Sequence, residues 1–372
     1  ETEGVFQLES SGMKQVLVGL QPQNLEDVIA LISLYRPGPM DSIPTYLRNR
    51  HEPDKISYKT PQLAHILDVT NGCIVYQEQV MQIFRELAGF SFGQADNVRR
   101  AMSKKKHAVM EAEREHFVHG CTEPGHECPG CVANGISEKV ANEIYDEMSS
   151  FASYAFNKSH AACYAYVAFQ TAYLKCHYPS EFMAALLTSV LDNTDKVIEY
   201  SGECARLGIK VLPPDVNISN GGFTADNGKI RFGLNAVKNV GRNLIERVVE
   251  ERKEKPYSSL YDFCKRMHGT ELKRRAVECL IKAGAFDSMG VNRHSLVEAV
   301  DGIIKSVESD SRRNLEGQLD LFSVMSGESQ TADTDSYEIK PFPEYSHTEL
   351  LQQEKEVSGL YPVSYTHLRA HE

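Results

Sequence analysis

One stretch is more informative than any other: Phe151-Ala-Ser-Tyr-Ala-Phe-Asn-Lys-Ser-His-Ala-Ala-Cys-Tyr-Ala165, which runs on into Tyr173-Leu-Lys175. The small residues that follow His160 predict a helix, and either Asn157 or Ser159 can cap its start. A helix start leaves backbone N–H groups unpaired and carries a partial positive charge, so it attracts anions.

The side chains beside this helix start predict a nucleotide-binding site. Lys158 and His160 stand at the same end of the helix, where they complete a site for phosphate. Tyr154 and Phe156 offer flat faces on which a base can stack. The alternative is structural: the helix is capped in the ordinary way, and the aromatic residues before it pack in the core.

Length and composition indicate a globular protein of two or three domains. The chain has 372 residues, of which 41% are hydrophobic and 24% charged. No apolar run reaches the ~18 residues of a membrane span and no signal peptide is visible, so we expect no membrane partner. Nine scattered cysteines are typical of reduced thiols and predict a cytoplasmic protein. Because the chain begins at Glu1 without a methionine, we expect a piece of a longer protein.

The net charge of −11 does not exclude a nucleic-acid partner, because the acidic residues are concentrated in one segment. Residues Ser306 to Gly359 include twelve Asp/Glu and four Lys/Arg, and they contribute −8 of the total. The rest of the chain is nearly neutral, with its basic residues in clusters. Contacts with phosphate depend on this local sign of charge.

Apolar spacing predicts two further helices in the first half of the chain. The first runs from Leu25 to Leu34, with Asn24 placed to cap it. The rigid turn Tyr35-Arg-Pro-Gly-Pro-Met40 ends it and presents Arg36, which we expect to contact DNA. Cys73 to Phe84 predicts a short apolar entry followed by an amphipathic helix.

A cationic helix is predicted between Ser91 and Lys106. Arg99, Arg100, Lys104 and Lys106 fall on neighbouring turns, so several of them can point the same way. Guanidinium groups suit phosphate oxygens, and we therefore expect Arg99, Arg100 and Lys104 to bind a polyphosphate. The alternative is an ordinary solvated charged face.

A cysteine-rich loop at 121–131 has the CxxC spacing that suits Zn²⁺. Its Pro-Gly turns allow the loop to fold back on itself. The alternative is a surface loop that happens to contain three thiols. The predicted zinc ligands are Cys121, Cys128, Cys131 and His126, with His119 as another possible fourth ligand.

The second half predicts a small hairpin and two helix-hairpin-helix units. Phe223 to Phe232 reads as two short strands with Asp226-Asn-Gly228 at the turn. The first unit has its turn at Val240-Gly-Arg242 and the second, looser one at Ala283-Gly-Ala285. Such turns bind a phosphate through backbone N–H groups without reading bases. The predicted DNA-binding residues here are Asn239, Val240, Gly241, Arg242, Lys282 and Gly284. The alternative is a pair of ordinary helical hairpins.

From Val307 to about Tyr337 the chain is polar and acidic, and we expect no core of its own. Within it lies a peptide that can fill a pocket on a partner, because a glutamine precedes a leucine and an aromatic residue. This peptide consists of Gln318, Leu319, Asp320, Leu321 and Phe322.

Six motifs in this order resemble the alpha subunits of bacterial DNA polymerase III, the replicative C-family polymerases. The resemblance extends from Glu1 to about Tyr361. The motifs are Gly4-Val-Phe-Gln-Leu-Glu-Ser10, Arg36-Pro-Gly-Pro39, Tyr76-Gln-Glu-Gln-Val-Met81, Arg99-Arg-Ala-Met-Ser-Lys-Lys-Lys106, Phe156-Asn-Lys-Ser-His-Ala161 and Glu181-Phe-Met-Ala-Ala185.

The resemblance implies a mainly α fold with a definite domain order. Residues 1–217 would be the fingers domain, which holds the incoming deoxynucleoside triphosphate. Residues 218–305 would be a tandem helix-hairpin-helix domain on duplex DNA, and 306–361 an acidic flexible segment with the sliding-clamp peptide, leading to a further domain. Residues 362–372 depart from the family and look like a translated sequencing adapter.

The implied activity is that of a DNA-directed DNA polymerase, with primer-template DNA, the clamp and other replisome subunits as partners. The family's catalytic aspartates hold Mg²⁺ in a palm domain upstream of Glu1, and Asp333-Thr-Asp335 does not replace them. We therefore expect no catalytic residue in this chain and no activity from it alone. The alternatives are a non-catalytic DNA- and clamp-binding adaptor and a zinc-dependent structural module.

Overall fold

The computed structural model describes residues 2–104, 107–152, 154–269, 272–315 and 337–361. The protein is mainly helical, as expected, and divides into two compact units, Glu1–Tyr173 and Leu174–Glu372. None of the helices among the described residues is long and apolar enough to cross a membrane.

Unit 1 is a bundle of short helices around two apolar clusters. One cluster is centred on the aromatic side chains of Phe84, Phe117 and Tyr145, and the other gathers α1, α2 and α10. The helices are α1 (Ser11–Leu20), α2 (Leu25–Leu34), α3 (Ile43–His51), α4 (Ala64–Leu67), α5 (Gln77–Ala88), α6 (Phe92–Ser103), α7 (His107–His119), α8 (Gly130–Ala133), α9 (Glu138–Ala152) and α10 (Lys158–His177).

The helix starts predicted in unit 1 are confirmed, and side chains cap them. Asn24 accepts from the N–H of Asp27 (2.9 Å) at the start of α2. Ser91 accepts from Gln94 at the start of α6. These polar side chains satisfy donors that a helix cannot satisfy itself, so local sequence alone fixes where each helix begins.

The described helices and strands of unit 2 pack around one large apolar core. Strand β3 lies between β1, which is parallel to it, and β2, which is antiparallel. The elements are α11 (Pro179–Ser189), α12 (Thr194–Arg206), β1 (Val211–Leu212), β2 (Thr224–Asp226), β3 (Lys229–Arg231), α13 (Arg242–Glu251), α14 (Leu260–Arg266), α15 (Arg274–Lys282), α16 (Arg293–Leu315) and α17 (His347–Ser358).

The predicted β-hairpin is confirmed, with Asn227 and Gly228 both at positive φ (50° and 77°) in a two-residue turn. The first helix-hairpin-helix unit differs in one detail from its sequence pattern. Only a single 3₁₀ turn, Leu234–Ala236, precedes the turn to α13. The second unit has α15 before its turn, and after the turn a short 3₁₀ segment leads to α16.

The domain boundary predicted after Asn217 stays a prediction. The division into two compact units falls earlier in the sequence, between Tyr173 and Leu174. In the segment 306–361, predicted to be flexible, both described parts contain helix. Residues 306–315 continue α16, and 347–358 form α17, whose Val357 is 2% exposed. The adapter-like residues 362–372 lie outside the described residues.

Candidate nucleotide and duplex interfaces

The start of α10 is capped by Asn157, one of the two residues predicted to do so. The N–H of His160 donates to Asn157 Oδ1 (2.8 Å). Asn157 is held in turn by residues of α5, because its Nδ2 donates to Glu78 Oε1 (3.0 Å). The cap therefore joins two helix starts, α5 and α10, at one place.

A carboxylate already occupies the anion position that this helix start offers. The backbone N–H of Lys158 lies 3.2 and 3.1 Å from the two oxygens of Glu78. The Lys158 ammonium pairs with Glu26 (3.0 Å) and lies over the Tyr76 ring, 5.3 Å from its centroid. The arrangement can hold an oxyanion, as predicted for a phosphate, and here the oxyanion belongs to the chain itself.

A cavity of about 420 Å³ adjoins this helix start. The Arg36 guanidinium stacks on the Phe156 ring (4.1 Å) and donates to the carbonyl oxygens of Ser33 (2.9 Å) and Tyr154 (2.7 Å). Burial lowers the pKa of Arg36. The cavity is lined by Gln7, Ser10, Met13, Ile32, Tyr35, Arg36, Phe156, His160 and Tyr164.

The aromatic residues predicted to stack a base take different positions. Phe156 lies in the cavity wall next to His160, with ring centroids 5.4 Å apart. Tyr154 does not line the cavity; it is 43% exposed and lies against Gly38. Tyr164, which sequence reasoning missed, follows His160 by one helical turn, and the centroids of the two rings lie 4.6 Å apart.

The cationic residues of α6 face their own acidic partner. Arg99 donates to Asp96 (2.7 Å), and Arg100 pairs with the other Asp96 oxygen (2.8 Å). The hydrogen bond from Arg99 lowers the pKa of the Asp96 carboxyl. Arg100 is still 65% exposed, and Lys104 is exposed with no ion pair among the described residues.

A hydrogen-bonded bridge connects α6 to the segment before α10. Arg99 Nη1 donates to Gln77 Oε1 (2.8 Å), and Gln77 Nε2 donates to the carbonyl oxygen of Ala155 (3.0 Å). Gln77 also donates its N–H to Phe156 (2.9 Å). The predicted cations of α6 and the predicted start of α10 are therefore brought together, through a glutamine whose role the sequence alone did not reveal.

The first hairpin turn of unit 2 is exposed and basic. Lys238, Asn239, Gly241 and Arg242 are exposed, and Val240 is half-buried. Asn239, rather than the glycine, adopts positive φ (63°), while Gly241 is extended and precedes α13 as its cap residue. The Arg242 guanidinium pairs with both oxygens of Asp192 (2.9 and 2.7 Å).

Helix α13 begins without any capping side chain or acidic residue in its first turn. Within the described part of the chain, the N–H groups of Arg242, Asn243 and Leu244 have no hydrogen-bond partner. Such donors at an exposed helix start suit a phosphate oxygen. The first predicted turn thus has the backbone geometry for contact with a nucleic-acid backbone.

The second hairpin turn is less accessible. Gly284 (φ 85°) is buried, and the neighbouring carbonyl oxygen of Ala285 accepts from the N–H of Val216 (2.9 Å). Lys282 is half-buried, and its ammonium lies 3.9 Å from Glu356. Lys282 and Gly284 stay predicted DNA ligands, but the structure presents the first turn more openly.

The residues predicted to bind zinc in the cysteine loop do not come together in the described structure, and the zinc site stays a prediction. No three His, Cys, Asp or Glu side chains in the described ranges are arranged to hold a metal ion. Cys121 and Cys128 form a two-residue antiparallel pair, the thiol of Cys128 donates to the His116 carbonyl oxygen, and His126 is exposed. Cys131 is fully buried in the apolar core, where burial raises its pKa to about 12.

The peptide Gln318 to Phe322 lies outside the described residues. Its predicted role in clamp binding therefore rests on its sequence and on the resemblance.

Comparison with known proteins finds two family models that match separate parts of the chain. A family model described as the bacterial DNA polymerase III alpha subunit finger domain matches residues 1–125. A model described as the helix-hairpin-helix motif matches residues 208–296, a range that contains both predicted turns.

Curated relatives match nearly the whole chain. DNA polymerase III subunit alpha of Bacillus subtilis (strain 168) is 42% identical over 97% of this chain and 31% of its own length. The Thermus aquaticus protein of the same name is 44% identical over 99% of this chain and 29% of its own length. The Escherichia coli (strain K12) protein of the same name is 41% identical over 97% of this chain and 31% of its own length. The chain thus spans about three tenths of the length of these relatives.

Proposed function

Since this chain belongs to the family of bacterial DNA polymerase III alpha subunits, we propose that it is the part of a replicative DNA polymerase that holds the incoming nucleotide and grips duplex DNA. The identity of 41–44% to these alpha subunits across nearly all of the chain carries the proposal. Primer-template DNA, deoxynucleoside triphosphates, the sliding clamp and other replisome subunits are the proposed partners, and the cytoplasm is the proposed location.

The nucleotide would bind in the cavity of unit 1. Its volume of about 420 Å³ lies in the usual range for small-molecule sites, roughly 300–1,000 Å³. The ring of Phe156 and the imidazole of His160 offer flat faces for the base or sugar. Arg36 shares this wall, so we assign it to the nucleotide rather than to the duplex.

The triphosphate would lie toward the start of α10 and the exposed side of α6. Glu78 shows where an oxyanion fits, because its two oxygens receive the Lys158 N–H. A phosphate there would also attract the Lys158 ammonium, and Arg100 and Lys104 would supply further charge. The proposed nucleotide ligands are Arg36, Arg99, Arg100, Lys104, Asn157, Lys158 and His160, and the predicted ligand Tyr154 lies outside the cavity wall.

The test is calorimetric binding of deoxynucleoside triphosphate to this chain and to its Lys158→Ala and Arg100→Ala variants. A full charge-assisted bond is worth about 1.5–3 kcal/mol, but each cation exchanges a carboxylate partner for the phosphate, so the net loss is smaller and Kd should rise by up to about tenfold. Lys55→Ala is the control, because Lys55 is likewise paired with one carboxylate (Glu52, 3.0 Å) but lies outside the cavity wall. Equal Kd values for all four proteins would contradict the assignment.

The duplex would be gripped at the first hairpin turn by the free N–H groups of α13 and by Arg242. Binding should be weak, independent of sequence and dependent on salt, because only the phosphate backbone is contacted. Fluorescence anisotropy with two unrelated duplexes at low and moderate salt measures this. Arg242→Ala should weaken binding and lower the salt slope by about one.

Arg247→Ala is the matched control for the duplex experiment. Arg247 lies on the same helix, is similarly exposed and pairs with a single acid, Glu251 (2.9 Å). It stands beyond the first turn of α13, away from the free N–H groups. If both variants bind like the unchanged chain, or if one duplex is preferred tenfold, the proposed duplex grip is wrong.

The peptide Gln318-Leu-Asp-Leu-Phe322 would dock into a hydrophobic pocket of the sliding clamp. A short flexible peptide loses conformational freedom on binding, so the isolated peptide should bind with a Kd of roughly micromolar size. Tethering to a polymerase already on DNA raises the effective concentration to about millimolar. Replacing Leu321 and Phe322 with alanine in a complete alpha subunit should abolish clamp-stimulated synthesis and leave clamp-free extension intact. Full processivity in that variant would contradict the proposal.

The chemical step would use Mg²⁺ bound by aspartates of a palm domain outside this chain, as the resemblance implies. Primer extension assays on this chain alone should then give no product. A longer protein that also includes the region encoded upstream should extend the primer. An upstream reading frame without an Asp-x-Asp strand would instead favour a non-catalytic adaptor.

A further inference from the structure

Helix α17 supports the first hairpin turn of unit 2. The backbone N–H of Lys238 donates to the carbonyl oxygen of Val357 (2.8 Å), and the Lys238 ammonium donates to that of Glu356 (3.1 Å). Both acceptors belong to the last turn of α17, whose carbonyl groups lack partners within the helix. The turn residue Asn239 is also held from α15, since its Nδ2 lies 3.5 Å from Cys279 Sγ.

The position of α17 is fixed by a buried ion pair. Glu354 is 0% exposed and accepts from Arg293 Nη1 (2.9 Å), and Arg293 is only 4% exposed. Arg293 also donates to both oxygens of Asp287 (2.9 and 2.7 Å) and to the Lys282 carbonyl oxygen (3.2 Å). Burial acts to lower the pKa of Arg293, but Asp287 and Glu354 raise it, so the guanidinium remains charged.

The same arginine ties α17 to both ends of the second hairpin. Lys282 is the last residue of α15, and Asp287 begins the 3₁₀ segment that follows it. Arg293 is the first residue of α16. A further carboxylate, Glu344, caps the start of α16 by accepting from the Arg293 N–H (3.0 Å). The end of α15, the 3₁₀ turn at Asp287, the start of α16 and helix α17 therefore meet at the Arg293 side chain, and α17 supplies the two carbonyl groups that hold Lys238 in the exposed turn.

We propose that Glu354 is a positioning residue for duplex binding, acting through α17 on the turn at Lys238–Arg242. This inference rests on the proposed duplex grip of that turn. Glu354 is buried and cannot touch DNA; its carboxylate holds Arg293, the helix keeps its last carbonyl groups under Lys238, and the turn keeps the exposed N–H groups of α13 in place.

The proposal makes a prediction whose sign opposes simple electrostatics. Removing a negative charge near a DNA site ordinarily strengthens binding, because repulsion of phosphate falls. Glu354→Gln removes one charge but leaves Arg293 with a weaker partner inside the protein, which loosens the helix. Binding should therefore weaken.

Glu356→Gln is the matched control on the same helix. The side chain of Glu356 is 67% exposed and lies 3.9 Å from the Lys282 ammonium, so its charge has no structural partner that is buried. This substitution removes the same charge two residues away and keeps the buried pair. Its duplex affinity should be unchanged or higher.

The experiment compares duplex anisotropy titrations of the unchanged chain, Glu354→Gln, Glu356→Gln and Arg242→Ala, well below the unfolding temperature. Hydrogen exchange of residues 237–241 is measured on the same samples. For Glu354→Gln we expect Kd to rise about tenfold, a salt slope lower by about one, and faster exchange in the turn. Val357→Ala, which loosens the same helix turn without a charge change, should show the same pattern more weakly.

The outcomes separate the two ideas. If Arg242→Ala weakens binding but Glu354→Gln binds like the unchanged chain or more tightly, the positioning role is overturned and the duplex grip stands. If Arg242→Ala has no effect, the duplex grip itself fails, and the positioning role fails with it. If Glu354→Gln is too unstable to measure, Val357→Ala decides, and unchanged affinity and salt slope in that variant overturn the proposal.

Discussion

The amide of Gln79 offers a severe test of how unit 1 is held together. It is 4% exposed and makes four hydrogen bonds. Its oxygen accepts from the N–H groups of Val75 (2.9 Å) and Tyr76 (2.9 Å). Its nitrogen donates to the carbonyl oxygen of Ile66 (3.1 Å) and to Thr70 Oγ1 (2.7 Å). The side chain thus uses both of its donors and both acceptor positions, with no water needed.

Replacing Gln79 with leucine keeps the volume but removes every one of these bonds. Two buried backbone N–H groups lose their acceptor, at about 1–3 kcal/mol each, so the free energy of unfolding should fall by about 2–6 kcal/mol. That is a large part of the ~5–15 kcal/mol that stabilises a typical domain. The same segment pairs with the start of α10, since the Phe156 N–H donates to Val75 (3.2 Å) and the Gln77 N–H to Phe156 (2.9 Å). The loss should therefore spread to the nucleotide cavity.

Gln82→Leu is the control, on the same helix and of the same residue type. Its amide bonds to Glu86 (2.7 Å) near the surface, and a change there should stay within about 0.5 kcal/mol. Urea unfolding followed by circular dichroism gives the two free energies, and hydrogen exchange of Val75, Tyr76 and Phe156 locates the effect. If the two variants differ by less than about 0.5 kcal/mol, the four bonds do not support the fold as argued.

Two further predictions concern backbone strain and thiol reactivity. Gly38 has φ 101°, and a Cβ there would overlap the Tyr154 ring, so Gly38→Ala should cost more than about 1 kcal/mol in unfolding free energy. Gly93→Ala, in open space on α6, should stabilise by up to about 1 kcal/mol, and a reversed order by urea unfolding would refute the strain argument. Iodoacetamide at pH 8 should alkylate the exposed Cys163 but not Cys131, whose pKa burial raises to about 12, until urea unfolds the chain. Equal labelling of the two thiols by peptide mass spectrometry would contradict the buried position of Cys131.

Features that depend on neighbours in sequence could be predicted. Asn24 caps α2, Asn157 caps α10, and Asn227-Gly228 closes the β-hairpin, because each depends on a few adjacent residues. Ser159 was an equally good cap in the sequence. The choice of Asn157 follows from Glu78, whose carboxylate holds the Asn157 amide and the next N–H.

Features that depend on the interior could not be predicted from spacing. The CxxC pattern at Cys128 and Cys131 predicts a metal site only if both thiols face the same point. The chain buries Cys131 in the apolar core and aims the Cys128 thiol at a backbone carbonyl. Likewise, residues 306–361 were predicted to be an acidic flexible segment, yet Glu354 within it is fully buried, because Arg293 supplies the opposite charge that compensates its loss of hydration.

Three of the cations predicted to bind phosphate share a property that the sequence did not reveal, which is that each already has a carboxylate partner. Lys158 pairs with Glu26, Arg100 with Asp96, and Arg242 with Asp192. Binding of a polyphosphate or a DNA backbone at these places would therefore exchange one anion for another. The net gain is the difference between two charge-assisted contacts, which is smaller than either. Such exchange favours ligands that present several phosphates at once, because a single phosphate gains little over the carboxylate that it displaces. A triphosphate and a duplex backbone both meet that condition, and inorganic phosphate does not.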